Sequence, residues 1–254
     1  MNDEELIEIY SEFRKNIQEV SLPPAKYNLF KINSQDVNNM IYDMFLEDHS
    51  RQIANDTNLL RRCIVKLQAW KATIIDMNEQ KKLDIIVEFI EPLYITAISL
   101  PNAIKDRFTY SLTHLCHQAN RYKINNWQDN LPEEYYIKTR TMNEKCKHWK
   151  LYTNFEESHS QISDEKYMKN IYNARNMFHH RIPIGIEIGI SNMIKRTKED
   201  DGRISYSFGG IQPLSLENII TALIEQYDCI MNCFEMYQQL IKTQKEFIDE
   251  YKNE

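Results

Sequence analysis

The sequence predicts a mainly α-helical protein, a bundle of several helices with one short β-hairpin inserted before the last long helix. The 254 residues include only 5 glycines and 7 prolines, whereas barrels, propellers and dinucleotide-binding sheets need many glycine-bearing turns. Apolar residues make up 42% of the chain and recur mostly at the spacing of amphipathic helices. Strand-like alternation is seen in one late stretch, Arg203 to Phe208.

The first 80 residues predict three helices. A helix over 3–20 places its apolar residues, the last of them Val20, on one face, and a pair of prolines ends it. A second helix is expected to begin after Ser34. Asp56 is a suitable N-cap for a third helix, whose apolar face ends at Ile74.

The middle of the chain predicts two helices separated by a proline. Residues 81–99 are apolar nearly all round, which is typical of a central helix. Pro92 lacks a backbone donor, so we expect it to kink or split this helix. The next helix is expected to follow Pro101, to begin at Asn102 and to run to about Tyr122.

Two more helices are predicted on either side of a loop. Pro132 suits the first turn of a helix that reaches about Trp149. Residues 153–163, TNFEESHSQIS, are expected to form the loop. Ser163 or Asp164 then caps a helix that carries the most unusual stretch of the chain, NARNMFHHRIP.

The apolar pattern changes its period after that stretch. RISYSF alternates polar and apolar residues, and the preceding EDDG is typical of a turn, so we expect a β-hairpin over about 189–208. Ser215 is a suitable N-cap for a last long helix to about Tyr251. We expect one α-helical domain over 1–254, with an N-terminal helical extension over 1–55 and the bundle over 56–254.

Charge and composition limit the classes of function. The net charge of -6 disfavours a broad phosphate-binding surface, although a small basic site remains compatible with it. The chain begins MNDEELIEIY, which does not resemble a secretory signal. The longest apolar run, Leu93 to Leu100, is much shorter than the about 20 residues that cross a bilayer. Five scattered cysteines predict free thiols, so we expect a cytoplasmic protein without membrane contacts.

Most familiar catalytic motifs are missing from the sequence. It contains no GxxxxGK[ST], GxGxxG or GxSxG motif, so phosphate-loop, dinucleotide and α/β-hydrolase chemistry are not expected. His114 and His117 are three residues apart and could share a helix face, but no third or fourth metal ligand accompanies them. Cys229 and Cys233 are expected in the core. We therefore expect neither a cofactor nor a metal.

The stretch NARNMFHHRIP concentrates polar chemistry near the end of a helix. On a helix, Asn176 and His180 face one way, and Arg175 and His179 face another. A guanidinium can clamp phosphate oxygens in two directions, and an imidazole can transfer protons near neutral pH. The stretch also has a purely structural interpretation. Arg175 would then pair with a nearby acid, and the histidines would cap the last helical carbonyls.

Arg175-Asn176-Met177-Phe178-His179-His180 resembles the motif of the HEPN superfamily, an arginine, a polar residue, three further residues and a histidine. This resemblance implies a helical bundle and a metal-independent endoribonuclease of a toxin–antitoxin or antiphage system. It further implies a homodimer, in which two copies of the motif form one RNA-cleaving cleft. Arg175 would stabilise the scissile phosphate, His180 would act as general acid or base, and Asn176 would orient either of them. His179 is an additional candidate for the proton-transfer role.

Two other classes of function stay open. Members of the superfamily also serve as non-catalytic modules, so the chain could be a dimeric interaction or scaffold subunit that binds an antitoxin or a defence-complex protein. The acidic surface and the long, aromatic-rich last helix favour this interpretation. A metal-dependent enzyme that uses His114 and His117 is a third, weaker interpretation.

Overall fold

The computed structural model describes residues 2–18, 22–28 and 37–251. Over these residues the protein is mainly α-helical, with a two-stranded antiparallel sheet before the last long helix, and the predicted fold class is confirmed. The helices are α1 (Asp3–Gln18), α2 (Val37–Ile74), α3 (Glu79–Ile85), α4 (Glu91–Ala119), α5 (Thr139–Cys146), α6 (Tyr152–Ser160), α7 (Glu165–Asn170), α8 (Ala174–His180) and α9 (Leu216–Tyr251). The strands are β1 (Ile194–Lys198) and β2 (Ile204–Phe208).

The chain divides into two compact units. Unit 1 comprises Met1–Pro23, Arg61–Ser99 and Glu165–Glu225. Unit 2 comprises Pro24–Leu60, Leu100–Asp164 and Gln226–Glu254.

Stacked aromatic rings form part of the core of unit 1. The rings of Phe13 and Trp70 stack with their centroids 4.1 Å apart, and those of Trp70 and Phe89 with their centroids 5.1 Å apart. Phe13 and Trp70 are almost fully buried. Such rings bury about 150–250 Å² each, so they anchor α1 to α2 and to the segment after α3.

Unit 2 has an aromatic core with a polar network inside it. Phe108 contacts the rings of Phe155 and Tyr237. The Tyr237 hydroxyl lies 2.7 Å from the hydroxyl of Ser111, so this buried phenol has a hydrogen-bond partner. The Tyr42 hydroxyl donates to Gln244 over 2.8 Å. Because both hydroxyls are hydrogen-bonded, the two rings are buried without the energetic cost of unpaired polar atoms.

Helix α2 is one continuous helix, and the predicted boundary at Asp56 is wrong. No glycine or proline interrupts residues 37–74. Asp56 does not cap a helix but lies inside one, where its carboxylate accepts from Gln52 and pairs with Arg107 at 2.8 Å. The predicted positions Val20 and Ser34 lie outside the described residues.

The two prolines of the middle region have different effects. A π-helical turn over Ile86–Ile90 ends two residues before Pro92, so the expected distortion of the helix is present there. The predicted break at Pro101 is wrong, because α4 runs through it to Ala119. Residues before and after this proline are buried, and their packing outweighs the lost hydrogen bond.

The predictions for residues 132–163 are also wrong in part. Instead of one helix from Pro132, a 3₁₀ turn over Glu134–Tyr136 precedes the shorter α5, because Ile137 adopts an extended conformation. The expected loop forms helix α6 instead. Buried residues recur there at spacings of three and four, at Tyr152, Phe155 and His159. Most of the residues between them are polar, so the sequence does not show a clear amphipathic helix pattern.

The predicted hairpin and last helix are confirmed. Strands β1 and β2 pair antiparallel, with Lys195 opposite Ser207. The EDDG turn connects them, and Gly202 in it has a positive φ of 84°, a conformation that favours glycine. The Ser215 hydroxyl accepts from the Asn218 backbone N–H at 3.2 Å and so caps α9. None of the described helices is long and apolar enough to cross a membrane.

Candidate phosphate-binding groove

The motif lies on α8, a short helix that a sharp reversal separates from α7. The prediction of one continuous helix from residue 163 or 164 is therefore wrong. The Asn173 N–H donates to the Met168 carbonyl (2.7 Å), and the Tyr172 N–H to the Lys169 carbonyl (3.0 Å). This pair of bonds is a Schellman motif, the common end of an α-helix. Ile171 and Ala174 are both buried beside the reversal, so packing holds α8 in place.

Asn176 and His180 line a groove of about 1100 Å³ between α8 and the base of the hairpin. Met177 lies between them, and Ile194 and Ser207 line the groove from the strands. Arg175 and His179 are not part of its lining. The helical spacing of the motif predicted this division of the four polar residues into two pairs.

The groove is basic although the chain is acidic. Arg181, at the end of α8, and Lys195 and Arg196, from β1, line it. None of the described residues that line it carries a carboxylate. Among the described residues, no ion pair engages any of these three cations. The chain has a net charge of -6, but this local excess of positive charge favours an anionic ligand in the groove.

Uncharged polar groups complete the lining. Asn173 and Asn192 face the groove together with Gly209 and Gly210. The side-chain nitrogen of Asn192 is buried and has no hydrogen-bond partner among the described residues. At Gly210 a Cβ would overlap the side chain of Ile190, so a larger residue fits there only if that side chain moves.

Arg175 and His179 lie on the other side of α8. The Arg175 side chain is partly buried, and its Nε has no hydrogen-bond partner among the described residues. One terminal nitrogen approaches the Asn176 side-chain oxygen at 3.5 Å. The purely structural interpretation of the motif expects Arg175 to pair with a nearby acid. Among the described residues, no carboxylate forms that pair. His179 Nε2 lies 3.4 Å from the Ser99 hydroxyl.

His114 and His117 have separate surroundings in unit 2. The His114 ring packs against the rings of Phe45 and Tyr110, with centroids 5.1 and 4.5 Å away. His117 Nε2 contacts an Asp129 carboxylate oxygen at 3.0 Å. Burial lowers the pKa of both imidazoles. No group of three or more potential ligands close enough to hold a metal occurs among the described residues.

Burial favours the protonated thiol at three of the cysteines. Burial raises the pKa of Cys63 to about 11, and it raises the pKa of Cys146 and of Cys233 well above the usual value. A thiol in this state is a poor nucleophile and a poor metal ligand.

The cations of the groove were not among the site residues predicted from the sequence. Arg181 directly follows the motif, and Lys195 and Arg196 are adjacent on a predicted strand. The clustered basic letters of IKRTK were a usable signal. The sequence does not show that the base of the hairpin lies beside α8, where both line the groove. Comparisons of the chain with models of protein families, with curated proteins and with solved structures found no match.

Proposed function

We propose that the protein is a metal-independent endoribonuclease of the HEPN type. The observation that carries the proposal is the basic groove, because its described lining combines the motif residues Asn176 and His180 with three cations and no carboxylate. RNA supplies its own nucleophile, the 2′-hydroxyl, so the protein needs only to bind phosphate and to transfer protons. The groove contains residues of both kinds.

The reaction proceeds by transesterification. A base removes the proton of the 2′-hydroxyl, and the 2′-oxygen forms a bond to phosphorus. The bond between phosphorus and the 5′-oxygen breaks, and an acid protonates that leaving oxygen. The products are a 2′,3′-cyclic phosphate and a 5′-hydroxyl. Arg181, Lys195 and Arg196 would neutralise the charge that builds on the phosphate oxygens, and Asn176 would orient the phosphate or the imidazole.

Two proton-transfer groups are needed, and the described residues of one chain place one imidazole, that of His180, in the groove. The proposal therefore includes a homodimer in which a second copy of the chain supplies the other imidazole. Arg175 lies off the groove of its own chain, which fits a cleft that the second copy completes. Within that cleft Arg175 would stabilise the scissile phosphate, as the resemblance implies. His179, on the same side of α8 as Arg175, is the alternative second proton-transfer group.

The test is cleavage of a fluorescent RNA by the purified protein in excess chelator. We expect the His180→Ala variant to lose about 10²- to 10⁴-fold in rate, the usual loss when a proton-transfer group is removed. Arg175→Ala is expected to lose at least about 10²-fold. His179→Ala is the matched neighbour, and a smaller loss there assigns the proton transfer to His180. Activity that is unchanged in both His180→Ala and Arg175→Ala would refute the proposal.

The same variants test the cellular role that we propose, a toxin or an antiphage effector in the cytoplasm that an antitoxin or a defence-complex partner controls. Expression of the wild-type chain should arrest growth of the host, and His180→Ala should relieve the arrest. Mass analysis of the RNA ends should find the cyclic phosphate. Arrest that persists in His180→Ala would separate toxicity from the proposed chemistry.

A second candidate function is a non-catalytic interaction or scaffold module. The aromatic residues of α9 no longer favour it, because Tyr227, Phe234 and Tyr237 are buried. The exposed apolar side chains of the hairpin do favour it, since 84% of the Phe208 side-chain surface is accessible. A chain that cleaves no RNA and forms a stable dimer through this hairpin would support the module. A monomer that binds no partner at micromolar concentration would exclude it.

A further inference from the structure

One face of the hairpin combines aromatic and basic side chains that no described residue covers. In an antiparallel pair, residues directly opposite each other point to the same side of the sheet. Tyr206 lies opposite Arg196, and Phe208 lies opposite Ile194. Every residue of β1 and β2 is exposed. The aromatic–basic face consists of Ile194, Arg196, Lys198, Ile204, Tyr206 and Phe208.

We propose that the aromatic–basic face binds single-stranded RNA and leads it into the groove. The inference rests on the proposed function, because it specifies the substrate class of that same site. It is nevertheless separable from it, since binding to the face requires no catalysis by α8.

Charge favours a polyanion as the ligand of this face. The strands carry three cations and no acid, with Arg196 and Lys198 on this face and Lys195 on the opposite side, where it lines the groove. None of the three has an ion-pair partner among the described residues, so no described carboxylate competes with a phosphate for these cations. The acids of the hairpin lie in its turn, where Asp201 pairs with Arg203 at 2.6 Å. The negative turn would repel phosphates and confine the strand to the basic end nearest α8.

The rings favour unpaired bases. The side chains of Tyr206 and Phe208 are 60% and 84% exposed. They are two residues apart on one strand, so their Cα atoms are about 6.6 Å apart and each ring can stack on a separate base. Stacking on aromatic side chains requires bases that are free of a duplex, and it accepts any base because every base has a π face.

The face is continuous with the groove. Ile194 and Arg196 belong to the aromatic–basic face and also line the groove beside Asn176 and His180. A strand that stacks on Tyr206 and Phe208 would therefore have its next phosphates near Lys195 and Arg181. This continuity distinguishes the proposal from an isolated exposed patch, because the bound strand would reach the imidazole.

The binding test uses a short fluorescein-labelled oligouridine and the His180→Ala chain, in which cutting is suppressed. We expect Tyr206→Ala and Phe208→Ala to weaken binding by about 10-fold each, within the usual range for loss of one stacked base. Tyr206→Phe keeps the ring and should retain the affinity. Tyr136→Ala is the matched control, because Tyr136 is 61% exposed and lies outside the hairpin.

Salt and strandedness give two further measurements. For single strands, the slope of log affinity against log salt changes by about 0.7 for each phosphate contact. Arg196→Ala and Lys195→Ala should each flatten this slope by about that amount, whereas Arg140→Ala, a control outside the hairpin, should not. A duplex of the same length should compete more weakly than the oligouridine, because its bases are not free to stack.

The outcomes distinguish this inference from the proposed function. Oligouridine binding that depends on Tyr206 and Phe208 supports the inference even if no RNA is cut. Cleavage by the wild-type chain, with binding unchanged in both ring variants, overturns the inference and leaves the nuclease intact. A dimer that dissociates in Phe208→Ala while oligouridine affinity stays the same also overturns it, because the face would then contact a second copy of the chain.

Discussion

Tyr172 has a backbone conformation that its residue type rarely adopts. Its φ is 49°, and it occupies the position after α7 where glycine is usual. The left-handed conformation costs an L-residue about 1–2 kcal/mol. The side chain is 56% exposed, so burial of the ring recovers little of that cost. The backbone reversal that positions α8 beside the groove is therefore locally strained.

This strain predicts an unusual order of stabilities among variants of Tyr172. Tyr172→Gly should be more stable than Tyr172→Ala by about 1 kcal/mol in free energy of unfolding, because only glycine adopts this φ without a penalty. Denaturant titration of the two variants measures the difference, and both lack the ring. If Tyr172→Ala proved the more stable, the strain at this position would be disproved.

The sequence predicted which residues of the motif share a face of the helix. It did not predict the cations that line the groove beside them. The spacing of four residues placed Asn176 with His180 and Arg175 with His179, because a helix of any length repeats this way. The cations from β1 could not be assigned to the groove in advance. Their position depends on how the hairpin base lies against α8, a tertiary arrangement that no local pattern encodes.

Among the elements, the hairpin depends on how its base is held. The Leu214 N–H donates to the Gly185 carbonyl over 2.9 Å, and the Gly185 N–H donates to the Ser191 hydroxyl over 3.1 Å. A Cβ on Gly185 would lie 2.8 Å from the Ile188 carbonyl oxygen, a backbone atom that cannot easily move away. Gly209, by contrast, has open space around it.

The two glycines therefore form a matched pair for mutation. Gly185→Ala should lower the free energy of unfolding by about 1–3 kcal/mol, the usual cost of an overpacked site. It should also speed hydrogen exchange at the Ser191 and Ile211 amides. Gly209→Ala should be neutral or slightly stabilising, because alanine restricts the unfolded chain. Equal stability of the two variants would show that the close approach at Gly185 does not hold in solution.

The errors in helix prediction share one physical cause. A proline or a cap residue signals a boundary through local geometry alone, and packing decides whether the boundary forms. Pro101 and Asp56 both lie inside helices, since the surrounding side chains are buried and Asp56 pairs with Arg107. Helix α6 was not predicted, because most of its residues are polar. Its three buried residues nevertheless pack on one face and stabilise the helix.

At the scale of the whole molecule, pH should control stability through buried imidazoles. Burial lowers the pKa of His49 and of His159 to about 4, and it also lowers the pKa of His114 and His117. A folded-state pKa below the unfolded value of about 6.5 means that the native state favours the neutral ring. Their contribution to stability is therefore complete above pH 6.5 and is lost as the pH falls towards 4.

The prediction is a free energy of unfolding that declines between pH 6.5 and pH 5. His159, which is 2% exposed, should contribute up to about 1.4 kcal/mol per pH unit. Its Nε2 lies 3.0 Å from the Thr109 hydroxyl and 3.1 Å from the Lys105 carbonyl. His159→Gln removes the titrating group and should reduce the slope in urea titrations over this interval. A wild-type stability that is independent of pH there would contradict the prediction.

The exposed hairpin has a consequence for how this protein can change over evolutionary time. No side chain of β1 or β2 is buried, so substitutions on the strands cost little folding energy as long as the two strands pair. The residues that define the shape of the groove on α8 are held by a buried scaffold instead. Substitutions on the two strands could therefore change which ligand the hairpin binds, while the motif on α8 stays the same. Affinity and chemistry would then evolve as independent traits of one chain.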